Sequence, residues 1–285
     1  MKQAFTHVIS NVEVMPGMHL MWIEAPDIAS ISHPGQFITV NCEGFTLRRP
    51  FSIHQITASE AKQPQIALLF KVVGEGTFWL SQRCKGDKID ILGPLGKGFT
   101  IASLAKNLLL VAGGIGIAPL AFLAQYASSQ HSVSLIHGAN TARELYPFSS
   151  LRAKRSNLLS LPTGVQFIPV TEDGTMGRKG MATDILLDSL DWADQVFACG
   201  PLEMYKAMAI TLNPSPSKGE GKGEGEKRSE ESKLRKCQVS LEVRLGCGIG
   251  SCYACTINTK KGLKQVCRDG PVFGLDDILW EEVKI

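Results

Sequence analysis

The sequence predicts a multidomain chain: a small antiparallel β-barrel, then an α/β nucleotide-type domain built on a parallel sheet, then a small cysteine-rich C-terminal domain. Three observations carry this. Residues 1–99 fall into short alternating runs punctuated by turn formers such as Pro16, Gly17, Pro34 and Gly35. Residues 100–236 alternate apolar runs with helical stretches, the rhythm of a sheet covered by helices on both faces. Residues 237–285 gather Cys247, Cys252, Cys255 and Cys267 around a glycine-rich loop.

At 285 residues the chain is long enough for two domains and a small third. Its 44% hydrophobic and 20% charged content is that of an ordinary globular protein. A net charge of +3 makes no case for nucleic acid or a membrane as partner. The N-terminal residues enter an alternating pattern directly, without the apolar core of a signal peptide, and no run approaches the roughly 18 apolar residues of a membrane span. A cytoplasmic protein is expected, with its thiols reduced. Cys42, Cys84, Cys199 and Cys237 then read as buried small hydrophobes.

In the first segment, residues 7–24 predict two strands joined at Pro16 and Gly17. Residues 34–40, 49–53, 66–73 and 88–92 predict four more, and 77–84 a helix. Six short strands suit a closed antiparallel barrel. Two places look chemical. Arg49, Pro50, Phe51 and Ser52 set a cation, an aromatic ring and a hydroxyl on one strand; alternation gives Arg49 and Phe51 one face, with Ser52 on the other or at a strand end. Gly74, Glu75, Gly76 and Thr77 open the helix, where unpaired N–H groups and the positive dipole end suit a phosphate. Taken singly, the first is also compatible with a surface Arg beside a core Phe, and the second with a glycine turn capped by Thr77.

In this order the two motifs resemble the flavin domain of the ferredoxin–NADP reductase family. The resemblance implies that Arg49 and the helix start at Gly76 and Thr77 hold the pyrophosphate of FAD. It further implies that Phe51 packs on the flavin or its ribityl chain, that Ser52 hydrogen-bonds near flavin N5, and that backbone groups of Leu69, Phe70 and Lys71 line the cofactor. Phe51 stands where the wider family has Tyr, keeping the stacking surface without the hydroxyl.

In the middle segment, the apolar run 108–112 leads into Gly113, Gly114, Gly116 and Pro119 and then a helical stretch, 120–127. Strand, glycine turn and helix suit a dinucleotide pyrophosphate, which needs close backbone approach and a helix N-terminus. The third glycine of the usual fingerprint is missing, and Pro119 is tolerated in a first turn. Further strands are predicted at 133–137, 165–170 and 195–198, with helices near 182–190 and 201–211. Cys199, Gly200 and Pro201 follow a strand directly, where open α/β sheets bind ligands. In the same reductase family this turn lies beside the nicotinamide, so the resemblance implies that Cys199 packs there without acting as a nucleophile. Arg143 and Glu144 point opposite ways on NADP against NAD, which leaves the choice open from the residues alone. Residues 213–233, rich in Lys, Gly and Glu and without aliphatic or aromatic side chains, predict a disordered insert.

In the last segment, Cys247, Cys252 and Cys255 sit at the four-then-two spacing of plant-type [2Fe–2S] ligands, with Cys267 eleven residues beyond. Gly246, Gly248 and Gly250 allow a tight loop whose N–H groups reach the sulfurs. Zinc is the competing metal, although only Cys252 and Cys255 form a short knuckle. A strand is predicted at 238–243. The cysteine loop, with Cys267, Arg268, Asp269, Gly270, Pro271, Val272 and Phe273, resembles the electron-transfer subunits of two-subunit, NAD-linked dihydroorotate dehydrogenases, and that likeness spans the chain apart from the insert. It implies FAD, a [2Fe–2S] cluster and NAD as cofactors, and an FMN-containing catalytic subunit as partner, two of each in a heterotetramer. It also implies a role in pyrimidine synthesis, with electrons from dihydroorotate passing through cluster and FAD to NAD⁺. Flavin and iron–sulfur subunits serving sulfide or ferredoxin share much of the pattern, and a zinc-stabilised binding module is the alternative from another class.

Overall fold

The computed structural model describes residues 1–57, 63–148, 162–212 and 237–283. The insert predicted at 213–233 lies outside the described residues. The first segment comprises β1 (Lys2–Met15), β2 (Met18–Glu24), α1 (Pro26–Ala29), β3 (Phe37–Asn41), β4 (Arg49–Ile56), β5 (Gln65–Lys71), α2 (Glu75–Ser81) and β6 (Lys88–Leu95). Its strands close into a barrel in the order β1-β2-β5-β4-β3-β6. Strand β1 begins earlier than its alternation from residue 7 predicts, because it serves both sides of the seam. Lys2 to His7 pair with β6, and after an irregularity near Val8 the remainder pairs with β2. Alternate residues such as Ile38 and Val40, or Ile66 and Leu68, fill the interior.

The second segment comprises β7 (Asn107–Gly113), α3 (Ile117–Ala127), β8 (Ser132–Ala139), β9 (Val165–Thr171), β10 (Arg178–Lys179), α4 (Leu186–Leu190), β11 (Gln195–Cys199) and α5 (Leu202–Leu212). The third adds β12 (Cys237–Ser240), β13 (Thr256–Thr259), β14 (Gly262–Gln265), α6 (Val266–Asp269) and β15 (Val272–Gly274). One sheet runs through both, in the order β10-β9-β8-β7-β11-β12-β15. It is parallel from β10 to β12, and β15 joins antiparallel. Because β7 lies between β8 and β11, the chain reverses its direction of travel there. This switch point opens a crevice at the carboxyl end of the strands.

Two elements are shorter than their sequence patterns. Only Leu186–Leu190 of the stretch 182–190 is α-helical. Strand β12 ends at Ser240 instead of continuing to 243: after Leu241 donates its N–H to the Pro271 carbonyl at 2.9 Å, the chain leaves the sheet toward the barrel. No helix among the described residues is long and apolar enough to cross a membrane.

Candidate functional site

A cavity of about 350 Å³ opens where barrel, sheet and cysteine segment meet. From the barrel it is lined by Pro50, Phe51 and Ser52 of β4, Leu69, Phe70 and Lys71 of β5, and Thr77 of α2. From the second segment come Ile115 and Ala118, and from the third Glu242 and Cys267. Ser52 thus lies in mid-strand and still reaches the cavity. Phe51 is buried, its ring tilted 59° against Phe70 with centroids 5.5 Å apart, and the two rings form an apolar wall.

Arg49 and Gly76 are adjacent to this wall. A Cβ on Gly76 would fall 2.7 Å from Arg49 Nε, so the glycine lets the guanidinium lie directly on the start of α2. The Thr77 hydroxyl accepts the N–H groups of Val73 at 2.9 Å and Gly74 at 3.1 Å, fixing the turn that leads into the helix. A guanidinium beside a helix start suits the pyrophosphate of a flavin dinucleotide. The residues present fit that group, with the aromatic wall next to the cation.

The glycine turn of the second segment packs against the turn after β11. A Cβ on Gly116 would lie 1.9 Å from the Cys199 carbonyl oxygen, and one on Gly113 would lie 2.8 Å from Pro201 Cδ. Only glycine permits that approach, which brings Gly113, Gly114 and Gly116 together with Cys199, Gly200 and Pro201. Pro119 occupies the third position of α3. Cys199 is buried, 3.5 Å from the Ser240 carbonyl, and burial pushes its thiol up, so it stays protonated and serves as packing. Tyr205 ties the same turn to the third segment, accepting the Gly200 N–H at 2.9 Å and donating to the Ser240 carbonyl at 2.6 Å.

The four cysteines form two pairs. Cys247 Sγ accepts N–H groups from Ser251 at 3.2 Å, Cys252 at 3.4 Å and Ile249 at 3.5 Å, while the Cys247 N–H points at Cys252 Sγ at 3.2 Å. The Cys267 N–H lies 3.4 Å from Cys255 Sγ. Gly248 and Gly250, with φ of 74° and 86°, make the turn that aims these donors. A Cβ on Gly246 would lie 2.8 Å from Cys252 Sγ. Burial raises the Cys247 thiol, but the N–H groups and the neighbouring Cys252 outweigh it and bring it down to about 6. Cys267 is pushed up to about 12 by burial and then by the Cys255 sulfur. Two thiol pairs with amide donors have the donor chemistry of a two-iron cluster, whose negative charge those donors would stabilise; among the described residues no three potential ligands gather as a single-ion site, and all eight cysteines are unbridged.

Sequence reasoning missed Glu242, a carboxylate in the cavity wall whose carboxyl is raised by burial. Its signal was its place just past the carboxyl end of a parallel strand; extending that strand to 243 concealed it. Also missed were Ile115 and Ala118, which carry the glycine turn into the same cavity.

Comparison with known proteins agrees with this geometry. Residues 110–209 match the oxidoreductase NAD-binding domain, and residues 242–279 match the iron–sulfur cluster binding domain of dihydroorotate dehydrogenase B. The electron transfer subunit of dihydroorotate dehydrogenase B (NAD(+)) from Desulforamulus reducens is 34% identical, over 96% of this chain and 97% of that protein. The corresponding subunit from Bacillus pumilus is 32% identical, over 98% of each. Among solved structures, a chain of the NADH-dependent reduced ferredoxin–NADP oxidoreductase, studied for flavin-based electron bifurcation, superposes with a TM-score of 0.78 at 25% identity. That match covers 98% of this chain and 91% of that one. The ferredoxin NADP⁺ reductase of Neisseria gonorrhoeae, solved with FAD and NADP, shares the fold with a TM-score of 0.58 at 20% identity, over 74% of this chain and 91% of that one. With identities above 30% along almost the whole of both chains, the protein is an oxidoreductase subunit and belongs to the family of electron-transfer subunits of NAD(+)-linked dihydroorotate dehydrogenase B.

Proposed function

We propose that the chain passes electrons from an FMN-containing dihydroorotate dehydrogenase catalytic subunit to NAD⁺, in the synthesis of pyrimidine nucleotides. Bound FAD and a [2Fe–2S] cluster supply the conversion between single electrons and the electron pair that nicotinamide takes. The observation that carries the reading is the shared cavity, whose walls include the flavin-type strand, the glycine turn and Cys267.

In this reading residues 1–99 bind FAD, 100–236 bind the pyridine nucleotide and 237–285 hold the cluster. Arg49, Gly76 and Thr77 hold the pyrophosphate. Pro50, Phe51, Leu69, Phe70 and Lys71 seat the isoalloxazine and ribityl parts and exclude water. Ser52 offers its hydroxyl toward flavin N5. Gly113, Gly114, Gly116 and Pro119 receive the nucleotide pyrophosphate, and Cys199, Gly200 and Pro201 set the height of the nicotinamide. Cys247, Cys252, Cys255 and Cys267 would hold the cluster, which would supply single-electron transfer. Glu242 is the carboxylate of this wall, and burial raises its carboxyl above the usual range. The complex is a heterotetramer of two chains of each kind, working in the cytoplasm, where free thiols persist.

Two measurements test the proposal. Anaerobic titration of the purified chain with NADH is expected to bleach flavin and cluster absorption in turn; zinc in place of iron, with no visible spectrum, defeats it. Affinity purification from the native host is expected to recover a flavoprotein that oxidises dihydroorotate. Recovery of a ferredoxin- or sulfide-linked subunit instead would assign the chain to the alternative redox partner.

A further inference from the structure

One carbonyl of the glycine turn and one in the first turn of α3 are gripped from two sides by a buried polar network that the roles above leave unused. His54, on β4 two residues after Ser52, places Nδ1 2.9 Å from the Ala118 carbonyl oxygen. Its Nε2 lies 3.0 Å from the Tyr146 hydroxyl, to which Gln55 also donates through Nε2 at 3.3 Å. The Tyr146 backbone N–H in turn points at His137 Nδ1 at 3.3 Å, and His137 Nε2 lies 3.0 Å from the Gly114 carbonyl. His54, Tyr146 and His137 are all completely buried.

These contacts fix both tautomers. A carbonyl oxygen only accepts, so His54 carries its proton on Nδ1 and receives the Tyr146 hydroxyl at Nε2; His137 carries its proton on Nε2 and receives an amide at Nδ1. Burial holds both rings neutral, with pKa values lowered to about 4. Apolar side chains could fill this volume without the desolvation cost of three polar groups. What they could not do is hold two particular carbonyls. Because a trans peptide sets C=O and N–H antiparallel, holding the Gly114 carbonyl aims the Ile115 N–H the opposite way, and Ile115 lines the cavity.

We propose that His54, Tyr146 and His137 are positioning residues for the pyridine nucleotide, a hydrogen-bonded clamp between barrel strand β4 and sheet strand β8 that sets the glycine turn at the height hydride transfer needs. The clamp rests on the nucleotide reading given above. It acts on the turn and leaves FAD and cluster binding to other residues.

The test compares His137→Leu with His137→Gln in the purified, FAD- and cluster-loaded chain, using NADH as donor and ferricyanide as acceptor. Gln can still donate to the Gly114 carbonyl from a position close to that of Nε2; Leu cannot. His137→Leu is expected to raise the KM for NADH about tenfold, equivalent to about 1.4 kcal/mol, with FAD content and cluster absorption as in the wild type. His137→Gln is expected to stay within about threefold. Equal KM values for the two variants, whether both unchanged or both raised, overturn the clamp. If His137→Leu does not fold, His54 decides in the same way, since Asn there can still donate to the Ala118 carbonyl from near the position of Nδ1 and Leu cannot: a KM raised by His54→Leu above that of His54→Asn supports the clamp, and equal values overturn it. A wild-type chain that carries FAD but is not reduced by NADH would remove the nucleotide reading and the clamp together. Reduction of the wild type with unaltered variants removes the clamp alone.

Discussion

At the level of single residues, the cysteine spacing was legible because a metal cluster demands four thiolates within a few ångströms, and a loop can meet that demand only with glycines at set places. Replacing Cys252 by Ala removes one ligand and the acceptor of the Cys247 N–H. The variant is expected to lose its reddish-brown colour and iron while retaining FAD, as checked by absorption and metal analysis. Glu242 was hidden by a strand drawn too long, and the three clamp residues were not legible, since two histidines and a tyrosine in apolar runs carry no period or spacing of their own. The histidines nevertheless have a measurable signature. In the folded chain His54 and His137 titrate near 4 against an ordinary 6.5, because burial disfavours the charged ring. The unfolded chain therefore binds protons that the folded one refuses. Stability from this source is complete above about pH 6.5 and falls as the pH drops toward 4, by at most about 3 kcal/mol for each ring. Thermal melts across that range are expected to show the decline, and to show less of it in His137→Gln.

Among the elements, α2 shows how a short helix is held where its start matters. Seven residues form too few internal bonds to persist alone. Asn11 on β1 supplies the missing support: its Nδ2 group points at the carbonyls of Arg83 at 2.8 Å, Ser81 at 3.0 Å and Leu80 at 3.2 Å, satisfying the helix end. His19 lies 3.2 Å from Asn11 Oδ1 and fixes the amide orientation. Asn11→Leu is expected to cost about 1–3 kcal/mol and to lower the FAD-to-protein ratio on purification, because the opposite end of the helix carries Gly76 and Thr77. Melting temperature and flavin content measure the two effects separately. The helix itself was visible in the glycines and Thr77, but Asn11 was invisible, since it is distant in sequence and ordinary in type. The same contrast holds for strands. Alternation marks the barrel interior, whereas the short β10 consists of two exposed residues, Arg178 and Lys179, with no apolar pattern to find.

Across the whole molecule, the second and third segments share one sheet, and all three share one cavity. Nothing in the sequence announces that β12 pairs with β11, because strand neighbours in a parallel sheet are set by tertiary packing, not by local pattern. The pairing has a consequence for dissection. Ending the chain at residue 236 would strip β11, all five of whose residues are buried, of a neighbour and uncover Val196 beside Cys237 and Ala198 beside Val239. Such a fragment is expected to aggregate on expression instead of surviving as a cluster-free flavoprotein, which solubility and size-exclusion chromatography will reveal. The cavity carries a second consequence. Since Cys267 lines the same cavity as Ser52 and Phe51, a cluster and a flavin bound as proposed would sit side by side, and charge would tunnel between them with no swinging arm to wait for. Thickening the solvent with sucrose is accordingly expected to leave the internal exchange rate, followed by stopped-flow spectroscopy, where it was in water.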